Sequence, residues 1–216
     1  NPMIQNRALS LWLSLFLACA ASAPLRADDE EQKRQQYTQA LAALRSGDVA
    51  RFETLRNGLS AYPLLPYLEF EFLKERLGSV PKARLHEFLE RHPEAAVSDA
   101  LRRKWLKFLT ERGDWNTFLA EYRDIEPDNE LNCQRLTHLL KISQEKAGLM
   151  QEVGRLWLTG SRLPPACEPV FQAWKQAGYL TPELAWGRIQ LAMEKRNLTL
   201  AQHLAQHLEA SERVWV

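Results

Sequence analysis

The stretch RRKWLKFLTERGDWNTFLAEY, residues 102–122, decides the fold because it ends one helical pattern and starts another at once. Apolar residues recur at spacings of three and four on both sides of Gly113, which is the period of amphipathic helices that each bury one stripe. Gly113 can take a positive φ and end the first helix, and the Asp114 side chain can cap the next. The stretch therefore predicts two helices joined by a tight turn.

The same pattern, a glycine at the end of a helical stretch, recurs along the chain. Five glycines each follow a helical pattern, at successive intervals of 31, 35, 35 and 30 residues: Gly47, Gly78, Gly113, Gly148 and Gly178. Prolines such as Pro93 and Pro164 break each interval into two helices, since proline disfavours a helix interior but fits a first turn. A helix pair every 30–35 residues is typical of an α-solenoid. We therefore predict an all-α fold, a right-handed α-superhelix of helical hairpins.

The N-terminus predicts export. The apolar run ALSLWLSLFLACAASA, residues 8–23, follows Arg7, ends in small residues and precedes the acidic residues 28–31. This arrangement is typical of a secretory signal peptide, which we place at residues 1–27, with cleavage after Ala20 or Ala27. A retained membrane anchor is the alternative, although the run is short for a membrane span. Residues 28–216 would then form the exported superhelical domain, with disorder expected at most around the acidic junction.

The charge balance excludes some classes of partner. Removal of residues 1–27 takes away Arg7 and Arg26, and the formal net charge falls from +1 to −1. Such a balance argues against nucleic acid, or an anionic membrane, as the main partner. We expect a monomer that does not bind a membrane once the signal peptide is removed.

Two cysteines remain in the exported part, Cys133 and Cys167. Both are predicted early in helices of successive hairpins, where equivalent helices run side by side. In an exported chain this placement favours a disulfide, and two buried thiols are the alternative. No second cysteine or histidine lies at ligand spacing beside either one, so we expect no metal site.

Other candidate residues fit structural roles. Five tryptophans could stack on sugar rings, but each has apolar neighbours at helical spacing, and we expect core packing: Trp105, Trp115, Trp157, Trp174 and Trp186. His203 and His207, four residues apart, are expected on a solvated or half-buried helix face. Two pairs of acids are expected as helix-surface charge: Glu30 and Glu31, and Glu69 and Glu71. The chain has no Gly-rich phosphate loop and no nucleophile motif. We therefore predict no catalytic residue, cofactor or metal ligand in this chain.

Three stretches resemble one protein family: YPLLPYLEFEFL (62–73), FLERHPEAAVSDALRRKWLKFLTERGDWNTFLAEY (88–122) and GRLWLTGSRLPPACEPVFQAW (154–174). From about residue 28 to its end, the chain is similar to the N-terminal superhelical domain of the soluble lytic murein transglycosylases of Gram-negative bacteria. The resemblance implies a periplasmic enzyme that acts on peptidoglycan glycan strands. Such an enzyme cleaves the β-1,4 bond between N-acetylmuramic acid and N-acetylglucosamine and leaves a 1,6-anhydro end, without a cofactor. The family disulfide maps onto Cys133 and Cys167.

The family's catalytic glutamate cannot be assigned in this chain. In the family it lies in a C-terminal lysozyme-like domain and is followed directly by serine, whereas this chain has no Glu-Ser dipeptide. Our first hypothesis is an N-terminal scaffold part of such an enzyme, inactive alone, whose catalytic domain lies beyond this chain. The second hypothesis is a stand-alone exported helical-repeat adaptor that binds a protein. The coding sequence downstream of codon 216 distinguishes the two.

Overall fold

The computed structural model describes residues 23–123 and 128–213, and every regular element in these ranges is helical. Eleven α-helices and one short 3-10 turn, η1, are present in this part: α1 Ala23–Ser46, α2 Val49–Asn57, α3 Leu65–Lys74, α4 Lys82–Arg91, α5 Ala96–Glu111, α6 Trp115–Glu121, α7 Asn129–Ile142, α8 Ala147–Trp157, η1 Pro165–Cys167, α9 Glu168–Gln176, α10 Pro182–Glu194 and α11 Leu198–Ala205. The all-α prediction is confirmed. The right-handed superhelix remains a prediction.

The helix boundaries follow from turn and cap residues. Gly47, Gly113 and Gly178 have positive φ values of 77°, 68° and 79°, as expected for glycines that end helices. Asp114 accepts a hydrogen bond from the Thr117 backbone N–H and caps α6, and Thr181 caps α10 by accepting from the Leu184 N–H. The stop and restart predicted at residues 112–114 is therefore confirmed.

Two sequence expectations about boundaries need correction. Gly78 and Gly148 do not end helices: α3 ends at Lys74, four residues before Gly78, while α7 ends at Ile142 and Gly148 lies in the first turn of α8. Gly148 is tolerated inside α8 because glycine in a helix costs only about 0.5–1 kcal/mol relative to alanine, as lost backbone freedom. The acidic junction at residues 28–31 lies inside α1, so disorder there was the wrong expectation. The signal peptide and its cleavage sites fall almost wholly outside the described residues.

The chain divides into two compact units, up to Ser98 and from Asp99 onward. In the first unit, α1 packs on α2 and α3, and the rings of Phe52 and Phe72 stack at a centroid distance of 4.6 Å. Leu68, Leu85 and Phe88 are also buried in this unit. Within the described residues, no helix combines the length and the apolar character needed to cross a membrane.

The second unit is built around α7 to α11. Helix α7 contacts α8, η1 and α9, and α10 packs closely against α11. Aromatic side chains fill much of its core, where the ring of Trp157 lies 5.2 Å from that of Phe171 and 5.6 Å from that of Trp174. Burial of such large rings supplies much of the hydrophobic stabilisation of a small helical unit.

Candidate functional site

A disulfide joins Cys133 on α7 to Cys167 in η1, as the sequence predicts. Both residues are almost fully buried, and their Cα atoms are 4.8 Å apart. Local sequence places them there: Asp128 accepts a hydrogen bond from the Leu131 N–H and sets the start of α7, while Pro164 precedes η1. The bond therefore fixes the start of α9 against the first turns of α7.

The segment between α8 and η1, residues 158–164, is held tightly against α10. A Cβ atom added to Gly160 would lie only 2.0 Å from the Leu191 carbonyl oxygen, so only glycine fits this approach. On either side of Gly160, the Thr159 carbonyl accepts a hydrogen bond from Arg188 Nε at 3.2 Å, and Ser161 Oγ accepts one from Lys195 Nζ at 3.1 Å. This contact fixes the position of the Arg188 side chain.

Arg188 is a buried cation with only 5% of its surface exposed. Its guanidinium carbon lies 4.0 Å from the centroid of the Trp157 ring, a close cation–π contact. Throughout residues 23–123 and 128–213, no carboxylate comes within ion-pair distance of it. Burial lowers the pKa of Arg188 to about 10, so the group still carries its positive charge at neutral pH.

Arg188 lines a cavity of about 400 Å³ beside the disulfide. Cys167 and Phe171 form part of the wall, and the first turn of α11, with Thr199 and Leu200, forms another part. Exposed residues of both signs complete the lining: Arg162, Glu168 and His203. The single acid, Glu168, accepts a hydrogen bond from Gln172 Nε2 at 2.7 Å.

The surroundings of Trp157 are positively charged. Lys175 Nζ lies 5.1 Å from the centroid of the Trp157 ring, and the ring of His207 lies 6.1 Å from it. Partial desolvation of its ring lowers the pKa of His207, and the positive charges of Lys175, His203 and Arg188 lower it further. The neutral form of His207 is therefore favoured beside these cations.

The structure tests the expectations for the tryptophans and histidines. Trp105, Trp157 and Trp174 are buried, so core packing is confirmed for them. Trp115 and Trp186 are only partly buried: the first stacks on His138 with ring centroids 4.4 Å apart, and the second donates a hydrogen bond to Glu212 at 3.3 Å. His203 and His207 are exposed, in agreement with the sequence.

The expectation for Glu69 is wrong. Glu30 and Glu31 are exposed and Glu71 is half-buried, but Glu69 is only 3% exposed. Arg56 Nε donates a hydrogen bond to Glu69 Oε1 at 2.6 Å, and the Arg56 Nη2 group contacts the same oxygen. Arg91 Nη1 lies 3.8 Å from the other carboxylate oxygen. This ion-pair network connects α2, α3 and α4, and its pairing across helices is not visible in the sequence.

The sequence analysis did not identify Arg188 at all. One signal was available: the residues three and four positions away on a helix are all apolar, namely Leu184, Ala185, Leu191 and Ala192. An arginine on an apolar helix face, with no acid at helical spacing, indicates a buried cation whose partner must come from elsewhere. Across the described residues, no group of three potential metal-ligating side chains comes together.

Comparison with known proteins gives two results. A family model for Cucumovirus coat protein matches residues 125–216, which is less than half of the chain and does not establish a family. Curated proteins and solved structures of another kind match over most of the chain. The curated homologues and structural neighbours of this chain are soluble lytic murein transglycosylases, which confirms the resemblance drawn from the sequence.

Three particular relatives define the extent of the similarity. The soluble lytic murein transglycosylase of Salmonella typhimurium is 30% identical over 185 residues, which are 86% of this chain and 28% of that protein. The crystal structure of the 70-kDa soluble lytic transglycosylase of Escherichia coli matches 85% of this chain and 30% of its own, with 28% identity and a TM-score of 0.70. An inactive mutant of the lytic transglycosylase Slt from Pseudomonas aeruginosa matches 81% of this chain and 28% of its own, with 39% identity and a TM-score of 0.70. The chain therefore spans less than a third of the length of these relatives.

Proposed function

We propose that this chain is the N-terminal scaffold part of a periplasmic lytic transglycosylase, exported by a signal peptide at residues 1–27. The complete enzyme would cleave the β-1,4 bond between N-acetylmuramic acid and N-acetylglucosamine in peptidoglycan and leave 1,6-anhydromuramyl products. The observation that carries this proposal is the similarity to the Pseudomonas aeruginosa transglycosylase, at 39% identity over 81% of the chain. A buried Cys133–Cys167 disulfide supports export, because such bonds persist in oxidising compartments.

Among the described residues, the one buried glutamate, Glu69, is not placed for catalysis, which supports the scaffold proposal. Glycan cleavage by an acid requires a carboxyl group that reaches the glycosidic oxygen within hydrogen-bond distance. Glu69, the buried glutamate, is bound by Arg56 in the interior of the first unit, where a glycan strand has no access. The function of these helices would then be to hold the catalytic domain and present a surface to the glycan.

A murein zymogram tests the proposal. The isolated chain should give no clearing, whereas the natural protein that continues beyond residue 216 should clear the murein. Clearing by the isolated chain would show that the scaffold assignment is wrong. A gene in which codon 216 is followed by a stop, or by no lysozyme-like segment with a Glu-Ser dipeptide, would refute the enzyme assignment.

A further inference from the structure

We propose that the cavity lined by Arg188 is a binding site for a carboxylate carried by a small ligand. Two independent observations carry this assignment: the cavity itself, and a side chain in its wall that is buried, charged and without a carboxylate partner in the described part of the chain. Neither observation depends on the family to which the relatives belong. None of the residues involved is assigned a role by the similarity.

The lack of a counter-charge matters because burial of an isolated cation is costly, and buried charges are normally paired. The same unit contains a direct comparison. Arg102 is as deeply buried as Arg188, but its Nη1 group lies 3.3 Å from a Glu121 carboxylate oxygen and donates to the Glu121 carbonyl at 3.0 Å. The fold thus supplies a carboxylate to one buried arginine and leaves the other open to a cavity.

The geometry of Arg188 favours a carboxylate as the missing partner. Its Nε group is occupied by the Thr159 carbonyl, and its two terminal amino groups have no hydrogen-bond partner among the described residues. Two adjacent amino groups of a guanidinium match the two oxygens of a carboxylate. The first turn of α11 lies in the same wall; the Leu200 N–H is capped by Asn197, but the positive end of a helix still favours an anion nearby.

The other walls indicate the rest of the ligand. Leu163, Phe171 and Leu200 give the cavity an apolar side, which a bare inorganic anion would leave without contacts. A volume of about 400 Å³ accommodates a ligand of about dipeptide size. We therefore infer a peptide carboxylate with short apolar side chains. The identification of this peptide as part of murein rests on the proposed function, whereas the carboxylate site does not.

Titrations followed by NMR test the assignment on the wild-type chain. The probes are D-alanyl-D-alanine, its C-terminal amide, acetate and inorganic phosphate, and the signal is the indole N–H of Trp157, which lies against Arg188. We expect saturable binding of the dipeptide with a Kd of about 1 mM, and at least about tenfold weaker binding of the amide, because the amide lacks the charge. Equal binding of acid and amide, no saturable binding, or tighter binding of phosphate than of the dipeptide would overturn the assignment.

Matched variants test the role of Arg188 itself. Arg188→Met removes the charge at similar volume and should weaken dipeptide binding at least about tenfold. Arg155→Met changes an exposed arginine on α8 outside the cavity and should leave binding unchanged. If Arg188→Met does not fold, Arg162→Ala at the cavity wall should weaken binding about threefold. Unchanged dipeptide binding by Arg188→Met would refute the site. If that variant does not fold, unchanged dipeptide binding by Arg162→Ala would refute it instead.

Two further comparisons separate the carboxylate site from its proposed ligand. Acetate that binds as tightly as the dipeptide would support the carboxylate site and refute the peptide assignment. Dipeptide binding to this chain but not to a longer protein that contains it would show that the cavity is closed to small ligands in the longer protein, and would refute the assignment. The murein zymogram tests the proposed function separately, since it does not depend on Arg188.

Discussion

Breaking the Cys133–Cys167 bond should destabilise the second unit by an amount that follows from the loop it closes. The two cysteines are 34 residues apart in the sequence. Closure of a loop of this length in the unfolded chain corresponds to about 3–4 kcal/mol at 25 °C in the chain-entropy treatment. The double substitution C133A and C167A should cost about 1 kcal/mol more, because both sulfur atoms are buried and their removal leaves a small void.

Urea unfolding followed by tryptophan fluorescence measures these losses. Trp157 and Trp174 lie in the same buried core as the disulfide, so their emission reports on the unfolding of this unit. The measurement compares the oxidised chain, the same chain with reductant, and the double alanine variant with and without reductant. Reductant should have no effect on the double variant, which controls for effects elsewhere. A loss below about 1 kcal/mol on reduction of the wild-type chain would refute the loop-closure reasoning.

Three further predictions concern single side chains. Glu69→Gln should lower the free energy of unfolding by about 3 kcal/mol, because it leaves Arg56 without its buried counter-ion. Glu71→Gln, which removes a half-buried ion pair with Lys74, should change it by less than about 0.5 kcal/mol. Equal losses of the two variants in urea unfolding would contradict this reasoning. Gly160→Ala should lower the free energy of unfolding by about 2 kcal/mol or more, because its Cβ atom would clash with the backbone of α10. The control Gly148→Ala meets no atom and should be neutral or slightly stabilising. Equal thermal midpoints of the two variants would contradict the close approach at Gly160. The pKa of His207 is lowered in the folded state, so its contribution to stability is fully present above its unfolded-state pKa and is lost as the pH falls through its lower folded-state pKa. A His207→Gln variant should therefore lose less stability than the wild-type chain between about pH 8 and pH 5, and an unchanged pH profile of urea unfolding would refute this.

The helical fold could be predicted because its signals are local. A glycine with positive φ, followed by an Asp cap, ends one helix and starts the next within three residues, and Gly113 with Asp114 shows this directly. Thr181 before Pro182 gives the start of α10 for the same reason. Gly148 fitted the spacing of the other glycines but lies inside α8, because spacing alone does not distinguish the end of one helix from the first turn of another.

Side-chain pairing across helices could not be predicted from local signals. Glu69 lies on α3 two residues before Glu71, and the sequence alone predicts that both acids lie on the helix surface. Only the packing of α2 against α3 places Arg56 on the carboxylate of Glu69 and removes it from water. The cysteines were more accessible to prediction, since an exported chain with two cysteines leaves few alternatives.

Prediction of the candidate site needs both local sequence signals and side-chain pairing between residues distant in the sequence. Four apolar residues at helical spacing around Arg188 indicate that this arginine faces the interior, and this much is local. Whether a buried arginine has a counter-ion is decided by distant residues, as Arg102 with Glu121 demonstrates. For Arg188 the distant element is the loop around Gly160, which approaches α10 so closely that a carbonyl oxygen, and not a carboxylate, reaches the guanidinium. The Thr159 carbonyl satisfies one N–H group but leaves the positive charge of Arg188 uncompensated. The open cavity beside Arg188 is where a carboxylate from outside the described chain would supply the counter-charge.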